Sequence, residues 1–415
     1  MLKEIYNKLF EETERMVDWL RKSQEHFFRL SDREAKLEFA ALLQETAIQW
    51  GECLEKYGLD NSEIITLLEK YCENVYVFIT EENNKHIASE LENNLKMIIP
   101  ALCASVKVTE YVLSITAIVK NEADYILEWL EYHRMVGITH FYIYDNDSTD
   151  HLYEKLKGYI DRRIVTYIRW TGEAQQLRAY NDALNNYKYD TKYMAFIDID
   201  EFLVPILDKN LPDIVDEIFN EIDYVGGIGV NWRVYGSSFH DTKMPGLIIE
   251  NYKYRSEDFE RAGANFHIKT ICDPRRMSRM VNPHYGKYLE GFYCTSENGS
   301  IIFGPFFYDG MCRKLRINHY VIKSKEEYIK RQLKGKADHV VVYTEEEIES
   351  QYNNELEILN RVYDPIMDQY TQELGRRIEL ASKGIIPEGG IDFTLKSATD
   401  MLKTLIIKGQ SHLAT

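Results

Sequence analysis

The amino-acid sequence predicts an α/β protein with a mainly parallel central sheet, preceded by a helical region and followed by further helices. Three observations predict this class. Short, β-rich apolar runs alternate with helical patterns between about residues 108 and 197. Before them, apolar residues recur at three- and four-residue steps, and helical periodicity returns beyond residue 324. We therefore divide the 415 residues into a helical region 1–106, an α/β domain 107–325 and a helical extension 326–415.

The N-terminal region is predicted to consist of amphipathic helices covering about residues 2–20, 33–57 and 62–77. Gly58 and the cluster Asp60-Asn61-Ser62 are typical of a helix end and a helix start. No catalytic constellation occurs in this region. Three uses of its apolar faces stay open: packing on the α/β domain, a homodimer through the N-terminal helices, and contact with a membrane-associated partner.

The later elements follow in order along the chain. Buried strands are predicted, with helices between them, at Tyr111–Val119, Phe141–Tyr144, Ile164–Ile168 and Tyr193–Ile197. Strand-like segments with polar loops are predicted at Tyr224–Trp232, Leu247–Tyr254, Phe266–Ile271 and Ile301–Phe307. The closing helices are predicted at Glu326–Leu333, Glu345–Arg361, Ile366–Leu380 and Thr394–Lys408.

The bulk composition limits the partners and the location. A net charge of −17 excludes duplex nucleic acid, which needs a basic surface, but not an anionic nucleotide held by a cation. The six cysteines form no C-x-x-C pair, which favours reduced thiols in a cytosolic protein. The sequence has neither a signal peptide nor an apolar run of the ~18–20 residues that a membrane span needs. We expect a cytoplasmic protein, with contact at the inner face of the membrane left open.

Polar residues follow the predicted parallel strands at the edge where ligands of such sheets bind. Asp198 and Asp200 are two residues apart in extended backbone, so both carboxylates point the same way. Such a pair is unfavourable unless a cation lies between the two groups, which predicts a divalent metal bridging to a diphosphate. A solvated acidic turn is the alternative. The other strand ends are Lys120-Asn121-Glu122 and Asp145-Asn146.

Three further side chains have both a functional and a structural interpretation. Asp145 can accept a hydrogen bond from a nucleobase, or it can cap the next helix. Arg178, on a predicted helix, is either a functional cation or part of a surface ion pair. His319 is either a third metal ligand or a structural histidine. A mixed set of carboxylates and an imidazole favours Mn²⁺ over Mg²⁺.

An ordered set of motifs resembles glycosyltransferase family 92 and the related family-2-like bacterial enzymes. Ile115–His133 resembles the opening of these proteins, Tyr142–Asp150 their second strand, and Asp198–Phe202 their Asp-x-Asp metal motif. The remaining motifs follow in the family's order, at Asn231–Ser238, His267–Ile271, Asn282–His284, Ile317–Tyr320 and Tyr328–Asp338. The resemblance covers about residues 113–370 and leaves residues 1–105 outside it.

The resemblance implies a GT-A fold, metal-dependent glycosyl transfer, a nucleotide-sugar donor that we expect to be UDP-linked, and Mn²⁺ or Mg²⁺. The acceptor is then a glycan, glycolipid or glycoprotein, and the process is polysaccharide or glycoprotein assembly. The expected metal ligands are Asp198, Asp200 and His319. The expected donor contacts are Lys120, Asn121, Glu122, Asp145, Arg178, Asp198 and Lys269.

The acceptor half of the site is less determined. An inverting transfer, which we expect, needs a carboxylate to take the proton from the acceptor hydroxyl. Asp241 is the preferred base, and Asp258 and Glu260 are the alternatives. Trp232 and Tyr235 either stack on the acceptor sugar or pack in the core.

Three other function classes would require different features in the sequence. A nucleotidyltransferase also uses an aspartate pair, but it normally has a glycine-rich loop after the first strand, and Lys120–Asp124 contains no glycine. A non-catalytic sugar-binding or scaffold protein would not need Asp198, Asp200 and His319. A glycosidase would need two carboxylates flanking a sugar cleft and no nucleotide site. The first two stay open as alternatives.

Overall fold

The computed structural model describes residues 36–37, 40–41, 70–77, 109–188, 190–222, 224–259, 263–310, 312–334 and 344–390. The chain forms two compact units, Met1–Thr109 with Tyr288–Phe292, and Glu110–Lys287 with Tyr293–Thr415. In the first unit, residues 36–37, 40–41 and 70–77 are helical and fall within two predicted helical runs. The predicted helix at about residues 2–20 and the predicted helix Thr394–Lys408 lie outside the described residues.

The second unit begins with four parallel strands. The strands are β1 (Tyr111–Val119), β2 (His140–Asp145), β3 (Val165–Arg169) and β4 (Thr191–Phe196). They alternate with the helices α1 (Ile126–Met135), α2 (Leu152–Asp161) and α3 (Gln176–Tyr187). The spatial order is β4-β1-β2-β3, with parallel pairing throughout. Parallel pairing requires a crossover between strands, and each helix supplies one.

Alternating side chains of β2 explain how both faces of this sheet are covered. Phe141 belongs to the main hydrophobic core, and its ring lies 5.6 Å from that of Trp129 on α1. Tyr142 points to the other face, where its ring stacks 4.2 Å from that of Tyr187 on α3. Because successive strand residues face opposite sides, α1 and α3 cover opposite faces of the sheet. The strand is therefore buried at every position.

The remaining strands extend the sheet with mixed directions. They are β5 (Glu201–Pro205), β6 (Val225–Val234), β8 (Ile268–Cys272), β11 (Tyr293–Thr295), β12 (Ile301–Ile302) and β13 (Leu315–His319). In the described part of the chain the order is β12-β11-β6-β8-β4-β1-β2-β3, and β13 pairs with both β6 and β5. Strand β8 is antiparallel to β4 and β6. The predicted α/β class with a mainly parallel central sheet is confirmed.

Smaller elements complete the second unit. The helices are α4 (Leu211–Glu221), α5 (Ile248–Asn251), α6 (Lys325–Lys334), α7 (Glu345–Leu359) and α8 (Asp368–Ser382). Short strands β7 (Tyr254–Arg255) and β14 (Val362–Tyr363) pair with each other, as do β9 (Met277–Met280) and β10 (Gly286–Tyr288). Helix α8 lies against α1, where Arg377 donates to the buried carboxylate of Glu131 at 2.8 Å. Among the described residues, no helix has the length and hydropathy of a membrane span.

Two predicted strands were wrong in part. The segment predicted as a strand at Leu247–Tyr254 forms α5 and only then enters β7, because the Glu128 carboxylate accepts from the first N–H groups of α5. The segment predicted at Ile301–Phe307 is a strand only at Ile301–Ile302. Gly304 has a φ of 92° and a proline follows it, so the chain leaves the extended conformation there.

The contact between Glu128 and α5 predicts an unusual pH dependence of stability. Burial raises the pKa of Glu128 from 4.5 to about 7, although the amides of Ile248 and Ile249 oppose the shift. Between these two pH values the folded state binds more protons than the unfolded state, so the free energy of unfolding falls as pH rises and levels off above about pH 7. We expect the wild type to lose about 2–3 kcal/mol relative to Glu128→Gln from pH 4.5 to 8.

Urea unfolding of the two proteins at pH 4.5, 6 and 8 measures this difference. Glu154→Gln, which removes an exposed carboxylate on α2, is the matched control and should follow the wild type. A constant difference between wild type and Glu128→Gln across the three pH values would contradict the assignment.

Candidate active site

The carboxyl ends of the four parallel strands meet at one edge of the sheet. In the register, Val119 at the end of β1 pairs with Asp145 at the end of β2. Thr116 pairs with Phe196, which places the end of β4 beside β1 as well. The loops that follow these strands therefore lie side by side. Three sequence-predicted groups meet at this edge: Lys120–Glu122, Asp145 and Asp198.

The loop after β1 is tied to the loop after β2. Asn121 has a φ of 56°, a left-handed conformation that asparagine tolerates better than most residues. Its side-chain oxygen accepts from the backbone N–H of Thr149 at 2.7 Å, and its own N–H donates to the Ser148 hydroxyl at 2.9 Å. Asp150 accepts from the N–H of Ala123 at 2.8 Å. The Lys120–Glu122 backbone is therefore held in a defined position above the sheet.

Asp145 is buried at the end of β2, where it accepts hydrogen bonds from protein groups. Its carboxylate accepts from the Tyr167 hydroxyl and from the Ser148 N–H. The next side chain, Asn146, donates to the carbonyls of Trp170 and Gly172 at 3.1 and 2.8 Å. The two residues thus join the ends of β2 and β3. The nucleobase contact of Asp145 stays a prediction. The alternative that Asp145 caps the next helix is wrong, because α2 follows His151 and Asp145 accepts from the N–H of Ser148, before the helix begins.

The carboxylate of Asp198 is held by donors from two different elements. On one oxygen it accepts from the Gln176 amide at 2.5 Å and from the Tyr180 hydroxyl at 3.1 Å, both on α3. On the other it accepts from the Lys269 ammonium on β8 at 2.9 Å. Both oxygens of Asp198 therefore have protein partners, which fixes the orientation of the carboxylate at the end of β4.

Lys269 lies between two carboxylates, of which Glu201 is fully buried and Asp198 is 33% exposed. Its ammonium is 2.9 Å from Asp198 and 3.7 Å from Glu201, and its side chain is 1% exposed. Burial alone would lower the pKa of Lys269, but these two carboxylates raise it above its usual value. Desolvation would raise the pKa of Asp198, but the ammonium lowers it. Burial raises the pKa of Glu201, although the same ammonium opposes the shift. Lys269 therefore keeps Asp198 ionised at the end of β4.

Asp200 and His319 lie next to each other, although they come from distant parts of the chain. The β5–β13 pairing brings them together, and His319 Nε2 lies 3.6 Å from an Asp200 oxygen. Arg331 on α6 reaches the other oxygen at 3.5 Å. Burial would raise the pKa of Asp200, but the neighbouring imidazole and guanidinium hold it well below its usual value. The structure thus brings together two of the three predicted metal ligands and adds a cation.

His319 is buried, and neither of its ring nitrogens has a hydrogen-bond partner within the described part of the chain. Its ring is 4.3 Å from that of Trp232, which in turn stacks 4.8 Å from His267. A third histidine, His284, has its ring 5.1 Å from that of Trp232. Buried polar groups normally have partners, so the unpaired imidazole suggests a ligand that the protein itself does not provide.

These contacts test whether the predicted residues fit a divalent metal. Asp200 and His319 fit, because a carboxylate and an unpaired imidazole lie next to each other. Asp198 fits less well, because Lys269 and α3 already occupy its oxygens. Within the described ranges, no three His, Cys, Asp or Glu side chains form a set that could hold a metal ion by themselves. A metal here would take its remaining ligands from the substrate or from water.

The candidate bases are in different surroundings. Asp241 is exposed, and no side-chain hydrogen bond or ion pair links it to Asp198 or Asp200 among the described residues. Asp258 forms ion pairs with Arg233 and Arg255 at 2.9 and 2.8 Å, and these two cations neutralise its carboxylate. Glu260 lies outside the described residues. The preference for Asp241 stays a prediction.

The remaining predicted residues differ in how exposed they are. Arg178 is exposed on α3. Tyr235 is fully buried, and its hydroxyl accepts from Arg316 at 3.0 Å, so it packs in the core rather than on a sugar. Trp232 is only half-buried, and it lies among the three histidines.

Four side chains at this site had no role in the sequence prediction: Gln176, Tyr180, Glu201 and Arg331. Glu201 follows Asp200 directly, so it was part of the predicted motif without a function. Arg331 belongs to a motif that carried the family resemblance, and its charge alone suggests a solvated helix face. A lysine within an apolar strand, such as Lys269 on β8, is a sequence signal for a buried carboxylate partner.

Similar proteins are known from sequence comparison. The chain is 24% identical over 201 residues to a glycosyltransferase family 92 protein of Ricinus communis, which covers 47% of this chain and 35% of that protein. It is 30% identical over 92 residues to a family 92 protein of Oryza sativa subsp. japonica, covering 22% and 16%. The matched segments are thus about a third or less of these relatives' lengths.

A similar solved structure is that of S. aureus TarS 1–349 in complex with UDP, at 15% identity and a TM-score of 0.28. The overlap covers 39% of this chain and 47% of that one. The family assignment rests on the sequence. The family model described as glycosyltransferase family 92 matches residues 109–358, which is more than half of the chain and includes Asp145, Asp198, Asp200 and His319. The chain belongs to glycosyltransferase family 92.

Proposed function

We propose that this chain transfers a sugar from a nucleotide-sugar, expected to be UDP-linked, to a glycan, glycolipid or glycoprotein in a metal-dependent, inverting reaction. One observation carries the proposal. At the carboxyl edge of the sheet, the imidazole of His319 is buried beside the ionised carboxylate of Asp200, and neither ring nitrogen has a hydrogen-bond partner among the described residues. A mixed carboxylate and imidazole pair favours Mn²⁺, and Mg²⁺ is the alternative.

The proposed chemistry is the neutralisation of a leaving diphosphate. A metal held by Asp200 and His319 would supply Lewis-acid stabilisation of the departing charge. The guanidinium of Arg331, 3.5 Å from Asp200 and partly exposed, adds a positive group that can face the same diphosphate. Both contributions act at a buried edge, where electrostatic interactions are stronger than in water.

The donor would be positioned by the neighbouring groups. Asp145, at the end of β2, and the Lys120–Glu122 loop are proposed to line the nucleotide. Lys269 was predicted to contact the donor, but its ammonium is already paired with Asp198 and Glu201. We therefore propose that Lys269 acts by positioning Asp198. Asp241 stays the proposed base, and a cytoplasmic location stays an expectation.

A donor-hydrolysis screen tests the proposal without an acceptor. UDP-, GDP- and dTDP-sugars are incubated with Mn²⁺, and release of the nucleoside diphosphate is measured. We expect release from the UDP-sugars, and we expect EDTA to abolish it. A nucleotidyltransferase would instead release pyrophosphate from a nucleoside triphosphate and a sugar phosphate, and a scaffold protein would release nothing. Either result would contradict the proposal.

His319→Ala tests the metal ligand directly. We expect the Mn²⁺ concentration at half-maximal activity to rise at least roughly tenfold, because removing a ligand or its support typically costs 10–100-fold in metal affinity. Isothermal titration of the protein with Mn²⁺ gives a second readout that does not depend on turnover. His151→Ala, on an exposed histidine before α2, is the control. An unchanged Mn²⁺ titration in His319→Ala would remove this residue from the site.

A further inference from the structure

A continuous series of aromatic contacts leads from the buried site to the protein surface. It begins at His319, whose ring is 4.3 Å from that of Trp232. Trp232 stacks on His267 at 4.8 Å, and His267 is 4.5 Å from Phe306. Phe306 then lies 6.4 Å from Tyr308 in a stacked arrangement. The series therefore connects Tyr308 at the surface to His319, the proposed metal ligand.

The surface end of the series is unusually exposed for aromatic side chains. Tyr308 is 68% exposed, Phe259 56% and Phe306 40%. Phe266 joins this group, with its ring 5.1 Å from Tyr308 and 6.5 Å from Phe259. We call Phe259, Phe266, Phe306 and Tyr308 the aromatic platform. Clusters of exposed aromatic side chains on one surface usually mark a binding site.

The backbone under the platform is firmly held. The buried amide of Asn231 donates to the carbonyls of Phe307 and Phe266 at 3.0 and 3.2 Å. The N–H of Phe307 donates to the carbonyl of Phe266 at 2.8 Å. Asn231 directly precedes Trp232, so one strand residue holds the platform while the next one packs on His319. The rings are thus presented on a fixed scaffold at a fixed position relative to the site, which reduces the cost of ordering them on binding.

The charges around the platform distinguish between two kinds of partner. Asp309 is exposed beside Tyr308, and the exposed Glu257 lies two residues before Phe259. The segment 301–310 contains no lysine or arginine. A surface that inserts into an anionic membrane normally combines aromatic and basic residues. Exposed rings flanked by carboxylates instead suit a sugar, whose apolar ring faces can stack on aromatic side chains while its hydroxyls donate to carboxylates.

We propose that the aromatic platform is the acceptor subsite and binds a glycan chain next to the sugar that receives the transfer. The inference rests on the proposed transferase function, because it assigns the acceptor of the same site. The acceptor's reactive end would point along the series of rings toward Trp232 and His319, and its next sugar units would lie on Phe306 and Tyr308. The platform binds substrate and takes no part in bond making.

The test compares the double variant Phe259→Ala/Tyr308→Ala with the wild type. These two rings are the most exposed of the platform, so their removal should leave the fold intact. The probes are cellobiose, maltose, lactose and chitobiose, measured by saturation-transfer NMR titration. We expect at least one of them to bind the wild type and to bind the variant at least roughly fivefold more weakly. Tyr363→Ala, which removes a similarly exposed ring outside the platform, is the control.

The outcomes separate this inference from the proposed function. Donor hydrolysis needs no acceptor, so it should be unchanged in the double variant. Unchanged disaccharide binding in the double variant, an equal loss in Tyr363→Ala, or no disaccharide binding by the wild type would overturn the acceptor subsite, even with donor hydrolysis intact. Loss of sedimentation with phosphatidylglycerol vesicles in the double variant would indicate a membrane contact instead. Absent donor hydrolysis together with platform-dependent disaccharide binding would contradict only the transferase function.

Discussion

Replacing Asp200 by asparagine is expected to lower sugar transfer on the order of 10³-fold while the protein stays folded. The reason is electrostatic, because asparagine keeps the shape of the side chain but removes the charge that would hold the metal beside His319. A metal ion contributes several kcal/mol to the stabilisation of a leaving group, and about 4 kcal/mol corresponds to about 10³-fold in rate. Donor hydrolysis at saturating UDP-sugar and Mn²⁺ measures the effect.

The same variant should lose metal affinity along with activity. Mn²⁺ binding by isothermal titration is therefore measured in parallel, so that the loss of activity can be assigned to the metal. Asp161→Asn, which neutralises an exposed aspartate on α2, is the matched control and should keep both properties. The expected change in the free energy of unfolding is within about 2 kcal/mol, because the Arg331 partner of Asp200 is partly exposed. Metal-dependent turnover retained in Asp200→Asn would contradict the metal assignment.

Replacing Lys269 by methionine is expected to have the largest effect on stability, a loss of about 3–5 kcal/mol. Methionine fills much of the same volume but leaves the buried Glu201 and the partly buried Asp198 without their cation. Removing one partner of a buried ion pair is costly, because the remaining charge has lost its water and gains nothing in exchange. Thermal and urea unfolding of wild type and variant measure the loss.

A surface lysine provides a stringent control for this variant. Lys157 pairs with Asp161 at 2.9 Å, the same distance as Lys269 to Asp198, but both partners are exposed. We expect Lys157→Met to cost no more than about 0.5 kcal/mol. Glu201→Gln in the Lys269→Met background should recover part of the loss, because it removes the fully buried acid. An equal loss of unfolding free energy in Lys269→Met and Lys157→Met would show that burial does not determine how much Lys269 contributes to stability.

The sequence predicted the parallel half of the sheet well. Runs such as Tyr111–Val119 are apolar at nearly every position, which is typical of a strand covered on both faces. Asp145 and Asp198 follow such runs directly, so their position at one sheet edge follows from local pattern and from the rules of parallel sheets. The helices Glu345–Leu359 and Asp368–Ser382 were predicted to within a few residues, because their apolar periodicity is long.

The partners of these residues could not be predicted in the same way. Lys269 meets Asp198 across 71 positions of sequence, through the antiparallel insertion of β8 next to β4. The sequence around either residue does not predict the other residue as its partner. The short helix α5 was missed for the same reason, because its apolar residues are compatible with a strand and a distant carboxylate, Glu128, stabilises its first turn. Tertiary contacts override local propensity at both places.

The position of β13 has a consequence for the order in which the protein is made. Strand β13 lies between β5 and β6 and supplies His319, so Asp200 has no imidazole neighbour until residue 319 has been synthesised and paired. Pairings across such long sequence separations form slowly, because the loop between them must close first. A nascent chain on the ribosome would therefore carry a nearly complete parallel half without a working site. The proposed metal site would be complete only in the last stage of folding. Unfinished chains would therefore neither bind the metal ion nor hydrolyse the nucleotide-sugar.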